Sequence, residues 1–396
     1  MKLKTFGPVD DRARQQLERC AQQDAPFAVL CADHHPGYSQ PIGGAVAYKD
    51  HISPSGVGYD IACGNKAVLT DAKLKDINVG RIMNDIARLI GFGVGRPNPD
   101  PVDHPVLDAI NKAEFRPQRR MIQMASNQLG TVGSGNHYVD IFADEEDRVW
   151  IGVHFGSRGF GHRTASGFLA LAKGLEFDAK AGEGEMDSPP TLFRTNSQLG
   201  QDYLAAMHLA GEYAYAGRDL VCEKVLEIMG ASEVESIHNH HNFAWKEKHF
   251  GEEVWVIRKG CTPAFPGQKG FVGATMGDTS VILEGVESPD SKQGLYSTVH
   301  GAGRVMSRTQ AAGKVKWVKG KPQRIKGGLV DWDAVRARIM SQGIELRGGG
   351  ADEAPEVYKR LDEVLQHHSG TINVLHRLRP VGVAMAGVDE YDPYKD

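Results

Sequence analysis

The sequence predicts an α+β protein: mixed, mainly antiparallel sheets surrounded by helices, with a site assembled from loops. Three observations carry this. Short apolar runs bounded by turn residues recur along the chain and read as strands. Stretches with apolar residues three or four apart lie between them and read as helices, but the two kinds do not alternate as βαβ units require. Finally, 47 of the 396 residues are glycine, about 12% against a usual 7% or so, with no collagen period. Many loops must therefore make special turns.

Residues 9–23 form an amphipathic pattern behind an Asp cap, and Ala28–Ala32 and Ala45–Tyr48 are strand-like. The spacing of Ile82, Ile86, Leu89 and Ile90, with Gly91 as a stop, predicts a helix over 76–91. Tyr138–Phe142 and Val149–Val153 read as strands flanking an acidic hairpin at Asp144–Asp147. Residues 196–229 give the longest helical stretch. Val254–Ile257, Ser280–Leu283 and Ile372–Leu375 are further short strands, and Asp331–Met340 and Glu356–Gln366 further helices. No internal repeat is visible. Flexible segments are expected at 181–192 and 310–327, with a short tail at 388–396; neither segment is long enough to divide domains, so one domain over 1–396 is expected.

Charged residues make up 24% and hydrophobic ones 41%, as in ordinary globular proteins, and a net charge of −4 excludes a wholesale basic nucleic-acid binder. The first twenty residues lack the apolar core of a secretory signal, and no run approaches the roughly 18 apolar residues a membrane span needs. A cytoplasmic protein is the expectation, with no membrane partner. The five cysteines form no Cys-x-x-Cys pair, which speaks against a zinc ribbon or disulfide framework.

Chemistry gathers in short glycine-framed segments. Gly56-Val-Gly-Tyr-Asp60-Ile-Ala-Cys63-Gly64-Asn65 sets a carboxylate and a thiol three residues apart on a backbone free to bend. Gly133-Ser-Gly-Asn136-His137-Tyr-Val-Asp140 offers an amide and an imidazole at a strand entrance. His154-Phe-Gly-Ser157-Arg158-Gly159 joins a histidine to groups suited to an oxyanion or phosphate, an ordinary loop being the alternative. In His238-Asn-His240-His241-Asn242, alternation puts His238 and His240 on one face of a strand and His241 on the other. His300-Gly301-Ala302-Gly303-Arg304 sets a histidine beside residues small enough for a nucleotide to approach, without a Walker or dinucleotide fingerprint. From Arg304 to Lys326 eight Lys/Arg and no acid surround Trp317, which suits a nucleic-acid backbone and a stacked base, or a solvated basic loop. Thiolate, carboxylate and imidazole together suit zinc, manganese, iron or cobalt; ligand type alone does not choose among them.

In this order the segments resemble the RtcB family of RNA ligases over almost the whole chain. The family's Asp-x-x-Cys-Gly matches Asp60–Gly64, its Gly-x-Gly-Asn-His matches Gly133–His137, and its His-x-Gly-Ser-Arg-Gly matches His154–Gly159. His241-Asn242 and His300–Arg304 match two more motifs, while Asp33-His34-His35-Pro-Gly37 and Asp352-Glu-Ala-Pro355 through Tyr358-Lys359 resemble an early and a late one. The resemblance implies a ligase joining RNA 3′-phosphate or 2′,3′-cyclic phosphate ends to 5′-hydroxyl ends with GTP and Mn²⁺, in RNA repair or tRNA processing, with or without an activating protein partner. It implies that Asp60, Cys63, His137, His154 and His241 surround two manganese ions, the Cys63 sulfur bridging them, and that His300 takes GMP from GTP. It places Asn136, His137, Asp140, Asn242, Thr275, Met276, Ser280 and His300 through Gly301, Ala302 and Gly303 around the nucleotide. The chain departs from the family at Met385-Ala386, where a Lys-Gly usually stands, at Gly273-Ala274-Thr275-Met276 in place of Pro-Gly-Ser-Met, at Phe155 in place of Ser, and at Asp140 in place of Glu. Two alternatives follow: a metal-dependent phosphoesterase on RNA termini, and a non-catalytic paralogue that binds RNA ends.

Overall fold

A computed structural model describes residues 2–179, 185–318 and 321–388. Two sheets organise it. In the first, Lys2–Thr5, Phe27–His35, Ile42–Tyr48, Glu252–Lys259 and Asn242–His249 lie side by side in that order. In the second the order is Lys269–Val272, Ser280–Gly285, Ile372–Gly387, Tyr138–Ala143, Arg148–Phe155, Gly64–Lys73 and Glu233–His240, with Glu345–Gly349 added on Ile372–Gly387. Lys2–Thr5 on Phe27–His35 and Glu345–Gly349 on Ile372–Gly387 are parallel pairs, whereas the other neighbours in both sheets run antiparallel. The expected α+β architecture is what forms.

The helices begin where side chains can take the first free amides. Asp10 accepts from the Ala13 amide to start Asp11–Cys20, and Asn78 accepts from Arg81 to start Val79–Leu89. The latter buries Ile82, Met83 and Ile86, the face its spacing predicts. The longest helix, Gln198–Met229, starts at Ser197 and stops at Gly230 in the left-handed conformation, φ +65°. Its aromatic end packs Tyr203 against Phe168 and Phe193 at ring separations of 5.1 and 6.1 Å.

Some boundaries differ from expectation for physical reasons. Ile372–Leu375 extends to Gly387 because its first half pairs with Ser280–Gly285 and its second with Tyr138–Ala143, the second pairing absorbing a register shift between Pro380 and Gly382. The helix expected over 356–366 is a turn of 3₁₀ helix at Pro355–Val357 followed by Leu361–Gln366, because Tyr358 is extended (φ −122°) and bridges to Arg304. Arg158–Ala172, directly after the His154 motif, is a helix the sequence reading passed over. The 310–327 stretch holds the end of the Arg308–Ala312 helix and the antiparallel pair Gly313–Val318 with Lys321–Gly327. The Trp317 side chain, residues 181–184 and 319–320 of the expected flexible segments and residues 389–396 of the tail lie outside the described residues.

Candidate active site

Three neighbouring strands and the loops at their ends bring the chemistry together. His154, near the end of Arg148–Phe155, faces Asn65 of Gly64–Lys73 on one side and Tyr138 on the other. Cys63 directly precedes Gly64, so its thiol meets His154 Nε2 at 3.4 Å and His137 Nε2 at 3.7 Å. Asp60 Oδ2 lies 3.1 Å from His137 Nε2. A Cβ on Gly156 would sit 2.1 Å from an Asp60 oxygen, so only glycine lets the carboxylate come this close. His241 stacks on His154 with ring centroids 5.0 Å apart, and His300 meets His241 edge-on at 4.9 Å. Cys63, His137 and His154 thus form one tight group, Asp60 joins it through His137, and His241 flanks it.

The far side of each ring decides whether this group can hold a cation. His137 Nδ1 donates to the Val132 carbonyl at 2.9 Å, and His154 Nδ1 faces Asn65 Oδ1 at 2.6 Å. The His154 ring therefore carries its proton away from Cys63 and presents its Nε2 lone pair to it, while His137 turns Nε2 to both Cys63 and Asp60. Burial, reinforced by neighbouring His137 and His300, holds His154 far below the usual imidazole range, and burial does the same to His241. His241 Nδ1 is buried without a partner among the described residues, a cost a bound ion would remove. For Asp60, burial favours the acid form but the His137 hydrogen bond and charge overcome it, bringing the carboxyl down to about 2. Burial and then Asp60 push the Cys63 thiol well up, so a cation binding there must displace its proton. The donor set fits a divalent transition metal.

His300 sits at one edge of this group in a separately built cradle. Asp33 Oδ2 accepts from His300 Nδ1 at 2.6 Å, from the His300 amide at 3.0 Å and from the Gly301 amide at 3.4 Å. Asp33 is fully buried, yet the coulombic pull and hydrogen bonds of His300 outweigh that burial and keep its carboxyl below the usual range. Gly303 is left-handed (φ +78°), and a Cβ there would lie 1.9 Å from the Asp33 carbonyl. Arg304 donates to Tyr358 Oη at 2.9 Å and to the Asp352 carbonyl at 2.7 Å, while Lys359 Nζ donates to the Ala32 and His34 carbonyls at 3.0 Å each. The early, middle and late motifs are thereby tied into one support for a single imidazole.

A cleft of about 1140 Å³ runs from His300 past the ligand group to Met385. Asn136, Asp140, Asn242, Thr275, Met276 and Gly301–Gly303 line it. At its Met385 end, Tyr138 Oη and Asp140 Oδ1 are buried without partners among the described residues, and burial pushes the Asp140 carboxyl well up. Some expected residues have other employment. Ser280 is not among the lining residues; its hydroxyl accepts from the Ala274 amide at 2.9 Å and so shapes the loop that lines the cleft. Asn242 donates to the Asp60 carbonyl at 3.3 Å and accepts from the Gly260 amide at 2.7 Å. Ser157, read as a group suited to an oxyanion, spends its hydroxyl on the Ile61 carbonyl at 2.5 Å and is fully buried. His238 and His240 both turn to Arg218, away from His241. Asn65 closes the Asp60–Cys63 segment but had no role assigned from sequence, Arg218 went unremarked and Asp33 was not connected to His300, since no local pattern marks a partner on another strand or helix.

The fold and site define an α+β protein with a buried thiol–imidazole–carboxylate group suited to a metal, beside a carboxylate-held histidine. The family model described as "tRNA-splicing ligase RtcB" matches residues 16–116 and 107–386. The chain is 32% identical to the RNA-splicing ligase RtcB of Escherichia coli K12, over 96% of each chain. It is 30% identical to the RNA-splicing ligase RtcB of Mycobacterium tuberculosis, over 88% of this chain and 94% of that one. To the tRNA-splicing ligase RtcB of Thermococcus kodakarensis it is 28% identical, over 94% and 91%. This chain belongs to the RtcB family.

Proposed function

We propose that this chain is an RNA ligase that joins 3′-phosphate or 2′,3′-cyclic phosphate ends to 5′-hydroxyl ends, using GTP and Mn²⁺, as one catalytic domain acting in the cytoplasm in RNA repair or tRNA processing. The observation that carries the reading is His300: its Nδ1 proton is held by Asp33, so Nε2 keeps its lone pair for attack. In the first step the Nε2–phosphorus bond to the α-phosphate of GTP forms, the bond to the β-phosphate oxygen breaks, and pyrophosphate leaves. The imidazole becomes cationic as it bonds phosphorus, and the buried Asp33 carboxylate offsets that charge. An RNA 3′-phosphate oxygen then takes the GMP from His300, and the 5′-hydroxyl oxygen attacks the activated 3′-phosphorus, expelling GMP. A cyclic end must first be opened by water to a 3′-phosphate.

Asp60, Cys63, His137, His154 and His241 are the residues that would hold manganese. Divalent ions, when bound, neutralise phosphoryl oxygens and so favour attack by a neutral nucleophile. Thr275, Met276, Gly301–Gly303, Asn136 and Asp140 line the cleft and would surround the nucleotide.

Incubation with α-labelled GTP and Mn²⁺ should label the protein, and His300→Ala should abolish the label. Label that survives His300→Ala, or none in the unaltered protein, refutes the reading. A second reading rests on Met385, a thioether lining the far end of the cleft: a metal-dependent phosphoesterase that needs no nucleotide. Its signature is release of terminal phosphate from RNA without GTP and without labelled protein.

A further inference from the structure

A buried cation lies behind the ligand group and takes no part in the steps above. Arg218 projects from Gln198–Met229 and is fully buried. A guanidinium stays charged and only donates, so its burial is costly unless its hydrogens are placed. Nε donates to His238 Nε2 at 2.8 Å, Nη2 to His240 Nδ1 at 2.9 Å, and Nη1 to both the Ala62 carbonyl at 3.0 Å and the Phe155 carbonyl at 2.6 Å. Both imidazoles must accept, which makes them neutral. His238 then turns its other nitrogen to Asp219 at 3.4 Å, a carboxylate that also takes Lys66 Nζ at 2.7 Å.

Those acceptors abut the ligands. Ala62 precedes Cys63, Phe155 follows His154, and His240 precedes His241. Ala62 is also left-handed (φ +60°), a conformation that a residue with a Cβ resists. Its amide is held by the Asn242 carbonyl at 2.7 Å and its carbonyl by Arg218. One planar fork thus spans a strained turn, a strand end and a second strand, and a lysine with its single nitrogen could not reproduce the set.

We propose that Arg218 is a positioning residue that sets the mutual spacing of Cys63, His154 and His241, so that a divalent ion meets these three groups already in place. The proposal rests on reading them as metal ligands. Co²⁺ is a suitable probe, because a thiolate bound to it gives a charge-transfer band. Apo protein would be titrated with Co²⁺ in the unaltered form and as Arg218→Lys, Val225→Ala and Cys63→Ser, with folding followed by circular dichroism and thermal melting. Arg218→Lys is expected to fold, to bind Co²⁺ about 10- to 100-fold more weakly, and to shift the band. Val225→Ala, at a buried position on the same helix, is expected to lower the melting temperature while leaving affinity and band unchanged. Arg218→Lys protein that binds within about threefold of the unaltered chain, with the same band, overturns the proposal. So does failure of that variant to fold, since the role would then be in folding at large. A band that is absent from the unaltered protein, or that survives Cys63→Ser, would remove the metal reading on which the proposal stands.

Discussion

Asp33→Asn isolates the charge behind the nucleophile while keeping its shape. Asp33 Oδ2 accepts three N–H groups around His300, while Oδ1 is buried with no partner among the described residues. An asparagine can put its oxygen where Oδ2 was and its amide nitrogen where Oδ1 was, so the three bonds survive in neutral form. What disappears is the attraction between a carboxylate and the imidazolium that forms as phosphorus bonds to Nε2. With charge centres about 4 Å apart and an effective dielectric near 20, that attraction is about 4 kcal/mol, and losing it slows the step by about a thousandfold. The assay is single-turnover labelling with α-labelled GTP and Mn²⁺, beside a thermal melt to show the fold intact. A variant labelled within about threefold of the unaltered rate would refute this account of His300.

Further outcomes follow from the same geometry. His368 is fully buried, accepts from the Ala32 amide at 3.1 Å and stacks on Phe6; burial holds it down at about 4, against 6.5 for a free imidazole. The unfolded chain therefore binds the proton first, so stability is complete above about pH 6.5 and is lost as pH falls toward 4. Denaturant unfolding should show His368→Gln losing about 2 kcal/mol less than the unaltered protein between about pH 7.5 and pH 5; equal slopes would exclude it. Mn²⁺ at a hundred times its dissociation constant should stabilise the fold by about 2.7 kcal/mol, a melting shift that a chelator reverses and Cys63→Ser removes. Met385 lies opposite Tyr138 in the sheet and shares its face with Val383, the partner of Asp140. Met385→Lys should therefore bring a cation near the Asp140 carboxyl and lower KM for GTP about tenfold, or about 1.4 kcal/mol of binding; an unchanged KM would show that the base does not lie there.

What the sequence revealed was local. Asp60 and Cys63, or Asn136 and His137, are brought together by glycines a few residues away, and such turns leave a readable pattern. His238 and His240 do share one face, as alternation predicts, but His241 leaves it because the strand ends at His240 and the chain bends there. Partners separated by long stretches leave none: Asp33 and His300 are 267 residues apart, Asn65 and His154 are 89, and Arg218 and Ala62 are 156. Arg218 reads in sequence as one more polar residue of a long helix; only the packing of that helix beneath the sheet makes it central. Ser157 erred the other way, because a hydroxyl near a histidine suggests a ligand contact until the neighbouring Ile61 carbonyl claims it. The extension of Ile372–Gly387 stayed hidden behind Pro380 and its flanking arginines, residues that a strand tolerates here because its partner changes along its length.

That same strand governs when the protein can come into being on the ribosome. Ile372–Gly387 lies inside the sheet, between Ser280–Gly285 and Tyr138–Ala143, although it is made long after both. Until it emerges, Tyr138–Ala143 keeps an open edge, and the sheet bearing His154 lacks its middle. Sheets closed by such distant pairings form slowly, and their exposed edges invite association with other chains. A nascent chain thus carries Asp60, Cys63 and His137 for most of its synthesis without the enclosure that makes them selective. Truncation before residue 372 should yield aggregation-prone protein with no independently folded half, and assembly of the site should be among the last events of folding.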